Sequence, residues 1–170
     1  MVYVNEVTPN GLAEGWPFVL LHSFGLISLT ISFVCCIFVL YLIFVRHGKI
    51  RNIKQMFARP IGERLVIYLA TCNLLYCCSH IMDHSYMLAI RGNPPDAACA
   101  AFAFFLNEFV IAQSLIVTFT AINAFVMVVK ETKVPLGKYD WGLFAISLGL
   151  PFVIGVIGVS TRHFGPSGLW

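Results

Sequence analysis

The chain has 170 residues, 59% of them hydrophobic and 11% charged, with a mean hydropathy of +0.84 and a formal charge of +3. Soluble domains carry about 25% charged residues, so this is the composition of a polytopic membrane protein. The sequence contains no GxxxxGK, no GxGxxG and no paired CxxC, so a soluble nucleotide or zinc enzyme has no support.

Residues 1–17, "MVYVNEVTPNGLAEGWP", lack the basic start of a secretory signal peptide and read as a short polar tail. No Asn-x-Ser/Thr sequon occurs in the chain, so no N-glycan is implied. A stretch of 31 residues, 15–45, is free of Asp, Glu, Lys and Arg. About 20 apolar residues cross the hydrocarbon, so a first transmembrane helix is expected over 18–45, entered through Trp16-Pro17. Residues 46–64 form a basic loop. A second helix is expected over 65–90, with its first 18 residues uncharged. A short loop, 91–98, leads to a third helix over 99–129, in which 21 uncharged residues follow Glu108. A loop over 130–140 precedes a fourth helix over 141–159, with Pro151 inside it as a source of a kink. Residues 160–170 form the last tail. The predicted fold is all-α, with four membrane-spanning helices.

Charge placement sets the expected orientation. Arg46, Lys49, Arg51, Lys54, Arg59 and Arg64 lie in the first loop, and Lys130, Lys133 and Lys138 in the third. That is nine of the eleven Lys and Arg residues, leaving Arg91 and Arg162 for the other side. The positive-inside rule puts both basic loops in the cytoplasm and both termini outside. The six cations of the first loop suit either lipid headgroups or a cytosolic protein partner. Nothing points to nucleic acid.

The second span carries an unusual polar set. Asn73, Tyr76, Cys77, His80, Asp83, His84 and Met87 follow the spacing of one helix face. Ionisable groups facing lipid cost several kcal/mol, so this face should meet protein or water. Two readings stay open: a network of bonds between helices, or the wall of a cavity open to the outside. Counting depth from each helix end at 1.5 Å per residue sets Asp83 and His84 level with Asn107 and Glu108 of the third span. That proximity is the expectation. His80, Asp83, His84, Met87, Asn107 and Glu108 are the candidate ligand-binding residues, with Asn73 as a structural polar group.

A metal or haem enzyme is not expected. The five histidines are His22, His47, His80, His84 and His163, and only His80 and His84 have ligand spacing on a helix. Zinc at His80, Asp83 and His84, with Glu108 as a fourth ligand, is the weaker reading. No cofactor and no resident metal are expected. Five of the six cysteines lie within spans, and Cys99 stands at the outer mouth of the third.

Four spans, an external N-terminus, a basic first loop, Cys99 and Pro151 together resemble the first half of a seven-helix G-protein-coupled receptor. "RLVIYLATCNLLY" looks like the second-helix pattern L-x-x-x-D-L-L, with Asn73 where the Asp stands. "CAAFAFFLNEF" and "IAQSLIVTFTAINAFVMVV" look like the third helix, and "GPSGLW" resembles the approach to the second outer loop. The Asp/Glu-Arg-Tyr of rhodopsin-like receptors is absent and "NAFVMVVK" stands there, which favours the cyclic-AMP-receptor-like and secretin-like groups. The resemblance implies an unknown extracellular ligand, a heterotrimeric G protein as partner of the full-length receptor, and a plasma-membrane location. It also implies a disulfide from Cys99 to a loop Cys beyond Trp170, and so a chain that is a fragment. The rival classes are a complete four-span structural or adhesion protein and, less favoured because no internal repeat is visible, a transporter fragment.

Overall fold

The computed structural model describes residues 15–46, 53–90, 94–132, 134 and 136–164. Lys49, Arg51, Arg91, Lys133 and "GPSGLW" lie outside the described residues. Among those described, the fold is all-helical, and four helices are long and apolar enough to cross a membrane. This is the architecture of a multi-pass membrane protein.

The first span is α1 (Trp16–Arg46). A five-residue helix, α2 (Ile53–Phe57), follows within the basic loop. The second span is α3 (Ile61–Ile90) and the third is α4 (Asp96–Lys130). The fourth, 138–160, is composite: a 3₁₀ turn (Lys138–Asp140), α5 (Trp141–Phe144), a π turn (Ala145–Gly149) and α6 (Leu150–Ser160). Pro151 explains the π turn. Its ring has no N–H to donate and collides with the carbonyl four residues back in a regular helix, so the backbone widens just ahead of it. Leu143, Ser147, Pro151 and Gly155 are the buried residues of this composite helix between Trp141 and Ser160.

The helices pack in chain order, α1 on α3, α3 on α4 and α4 on the fourth span. Most of α1 is exposed, including Phe24, Ile27, Ile31, Val34 and Phe38. In water such a surface is a liability, whereas hydrocarbon is a good solvent for it. The buried side of α1 is a narrow stripe. Phe18, His22 and Cys36 are buried, and Leu40 and Ile43 pack on the core at the basic end. That core joins Ile61, Leu65, Tyr68 and Cys72 of α3 to Ala112 and Ile116 of α4 and to Leu143.

Glycine allows one close approach between spans. A Cβ on Gly155 would lie 2.7 Å from Cε2 of Phe104, so the α4 ring nests against α6 only because no side chain is there.

Candidate functional site

Two polar clusters occupy opposite ends of the bundle. The first joins α1 to α3, toward the end where α3 stops. His22 Nδ1 lies 2.6 Å from His84 Nδ1, a hydrogen bond between two buried imidazoles. The rings meet edge-on with centroids 4.8 Å apart. His80 stacks obliquely on His84 at 4.5 Å, and Tyr76 packs on His80 at 5.3 Å. Asp83 Oδ2 is 4.0 Å from His80 Nδ1, and the Phe18 ring closes the other side of His22 at 4.3 Å. A Cβ on Gly25 would sit 3.2 Å from His84 Nε2, so the imidazole lies against the bare α1 backbone. Spacings of four and three residues bring 18, 22 and 25 onto a single face of α1 over two turns, and a spacing of four brings 80 and 84 onto a single face of α3. The cluster is therefore a direct product of helical spacing on two neighbouring spans.

Lower on the same interface, Asn73 Nδ2 donates to Ser32 Oγ at 3.1 Å and contacts Cys36 Sγ at 3.0 Å. Asn73 thus joins α3 to α1 near the middle of α3. Met87 is buried, one turn beyond the histidines.

The second cluster lies at the basic end. Arg64 donates from Nε to Asp140 Oδ2 at 2.8 Å and from Nη2 to Asp140 Oδ1 at 2.9 Å. Its Nη1 donates to the carbonyls of Phe57 and Arg59, both at 2.8 Å. Tyr68 Oη donates to Asp140 Oδ2 at 2.8 Å. One guanidinium therefore ties α3 to the segment after α2 and to the start of the fourth span. Asp140 is 2% exposed and holds a left-handed backbone at φ 57°. Such a conformation costs about 1–2 kcal/mol for a residue with a Cβ, and here the forked pair with Arg64 and the Tyr68 hydroxyl fix it.

No family model, curated protein or solved structure matches this chain.

The geometry redraws the expected site. Asn73 and His84 face α1, where the depth count set Asp83 and His84 against Asn107 and Glu108 of α4. His84 hydrogen-bonds to His22. The reason is where α4 starts. It begins at Asp96, so Glu108 lies twelve residues, roughly 18 Å, into the helix, whereas His84 is six residues, roughly 9 Å, from the end of α3. Glu108 is instead within electrostatic range of Cys72, and Asp83 within range of His22 and Cys99. Cys99 is a free thiol in the first turn of α4, half-buried. Asn107 and Glu108 lie on α4, each with a side-chain atom buried and without a hydrogen-bond partner among the described residues.

In the basic loop, Lys54 is exposed and free to meet a headgroup or a partner. Arg59 reaches the Ile43 carbonyl and Glu63 Oε2, each at 3.4 Å. Arg64, expected as a contact for a partner, is engaged inside the protein. The helix of Arg46 is described but its side chain is not. His22, Gly25, Tyr68 and Asp140 were not singled out from sequence. Asp140 carried a signal: an acid beside the first residue of an apolar helix, opposite a loop of six cations.

Among the described residues no group of three or more His, Cys, Asp or Glu side chains is arranged to hold a metal ion.

The Tyr68 hydroxyl gives a contained test of the second cluster. A hydrogen bond to a charged partner contributes about 1.5–3 kcal/mol. Tyr68→Phe should lower the thermal midpoint in detergent while leaving the Arg64–Asp140 pair intact. An unchanged midpoint would mean that the hydroxyl adds nothing to the ion pair.

Proposed function

We propose that this chain is the first half of a seven-helix G-protein-coupled receptor of the plasma membrane. Its N-terminus lies outside, and it senses an extracellular ligand through the region around the histidine cluster. The residue pattern behind this reading is the resemblance of "RLVIYLATCNLLY" and of the Cys99-containing span to such receptors. The structural observation that carries it lies on α4. Asn107 Nδ2, Glu108 Oε2 and Gln113 Nε2 are buried polar atoms with no hydrogen-bond partner among the described residues. Polar groups in a membrane interior need partners. A third helix at the centre of a larger bundle receives them from further helices and from ligand, and α4 already packs on α3 and on the fourth span. On this reading the basic end faces the cytoplasm, where a full-length receptor meets its G protein, and Lys54, Lys130 and Lys138 are exposed cations there.

Epitope accessibility tests the orientation. A tag ahead of Trp16 and a tag after Phe164 should be detected on intact cells, and a tag between Glu131 and Lys138 only after permeabilisation. Reversed accessibility would end the receptor reading. Sequencing the transcript beyond Trp170 tests the rest: the expected result is a Cys followed by three further apolar spans, and a stop codon there refutes it.

A further inference from the structure

We propose that the His22–His84 contact is a proton-binding joint, in which uptake of a proton from the aqueous phase at that end of the bundle loosens α1 from α3. This inference holds whether or not the chain belongs to a receptor.

The argument begins with the atoms. Two Nδ1 atoms at 2.6 Å can hold only one proton between them. One ring must donate from Nδ1 and the other accept there. The surroundings choose between them. His22 Nε2 is fully enclosed and has no hydrogen-bond partner among the described residues. An enclosed lone pair without a partner is better tolerated than an enclosed N–H without one. His22 is therefore the Nδ1–H donor, with a bare Nε2, and His84 accepts at Nδ1. The closed joint is a neutral pair.

An added proton has two places to go, and neither suits the closed geometry. At His22 Nε2 it makes an imidazolium whose second N–H is enclosed without a hydrogen-bond partner among the described residues. At His84 Nδ1 it removes the acceptor and sets two donors face to face. The charged groups around the joint offer partial compensation. Asp83 lies within electrostatic range of His22, His80 stacks on His84, and from α4 Cys99 faces Asp83, with Asp96 in its first turn within range of that thiol. Asp83 favours the cation and His80 competes with it. Asp83 gives His22 no hydrogen bond, so hydration of Nε2 requires that the outer turns separate. Gly25 favours this, because beside the His22 ring α1 presents bare backbone to His84, with no side chain at 25 to interlock. Further along, α1 stays held to α3 by Asn73 with Ser32 and Cys36, about three turns below His84, and by Leu40 and Ile43 on the core, none of it involving an imidazole.

The test uses the full chain in lipid nanodiscs, with hydrogen–deuterium exchange corrected for the intrinsic rate at each pH. Between about pH 7.5 and about pH 5, where histidine charges, residues 18–25 and 80–88 should lose protection about tenfold or more, the effect of one pK unit. Residues 61–72 should hold theirs. His84→Gln keeps a hydrogen-bonding side chain that does not titrate, and should abolish the acid-dependent loss. His22→Gln should do the same and serves if the first variant does not fold. His163→Gln, at an exposed histidine outside the joint, should retain the loss. A scalar coupling between the two Nδ1 nuclei should be seen by NMR near neutral pH. Protection that persists to about pH 5 in the parent chain, an acid response unchanged in either Gln variant, or absence of the coupling each overturns the proposal.

Discussion

Arg64→Met should be the most damaging single substitution in the chain. It leaves the Asp140 carboxylate buried without its cation and strands the carbonyls of Phe57 and Arg59. Breaking a buried ion pair by removing one partner costs about 3–5 kcal/mol. The Arg64 side chain is 15% exposed, against 3% for Asp140, so solvent screens the pair only slightly. Asp140→Leu should cost nearly as much, by leaving the guanidinium unpaired. The Arg64→Met/Asp140→Leu double variant should recover much of the loss, because two apolar side chains of similar volume leave no charge behind. Thermal unfolding in detergent, read by dye labelling of the buried thiols Cys36, Cys72 and Cys77, measures all three. If Arg64→Met melts with the parent chain, the cluster does not hold this end together.

Gly155→Leu should be the next most damaging. Its Cβ alone would overlap the Phe104 ring at 2.7 Å, and the rest of the side chain has no space to enter. Overpacking costs about 1–3 kcal/mol, and α6 would be lifted from α4. Phe104→Ala alone opens a cavity and should also lower the melting point. The two changes combined should lose less than the sum of the single losses. Strict additivity in the same thiol-labelling assay would mean that ring and glycine do not touch.

The spans were legible because the physics behind them is one-dimensional. Uncharged runs such as 15–45 and 109–129 state how much chain hydrocarbon can hold. Their ends were less so. Glu63 and Arg64 read as loop residues because they are charged, yet α3 begins at Ile61. Pro60 ahead of it is a helix-start signal that charge had masked. Likewise Pro95 precedes Asp96, an acid well suited to the first turn of α4. Starting α4 at Asp96 rather than at Cys99 sets Glu108 three residues deeper in the helix. That the face 73–87 avoids lipid followed from periodicity, and Cys77, His84 and Met87 are buried. Which helix it meets depends on how α3 is turned between α1 and α4, and sequence spacing carries no such angle. His22 was visible as a histidine near the end of a span. Its pairing needed three dimensions.

The π turn over Ala145–Gly149 sets the rotational phase of the fourth span. In a regular helix a repeat of four residues overshoots a full turn by about 40°, so Leu143, Ser147, Pro151 and Gly155 would fan out over about 120° of its circumference. The extra residue held in the wide turn takes back about 100° of that, the angle of one residue. Both halves therefore turn small or buried groups inward, Leu143 to the core with α3 and α4 and Gly155 to the ring on α4. Chain length between these two anchors is consequently more constrained than composition. Exposed positions such as Ala145 and Ile146 are open to any apolar side chain. Loss of one residue there would straighten the helix and swing one anchor toward lipid.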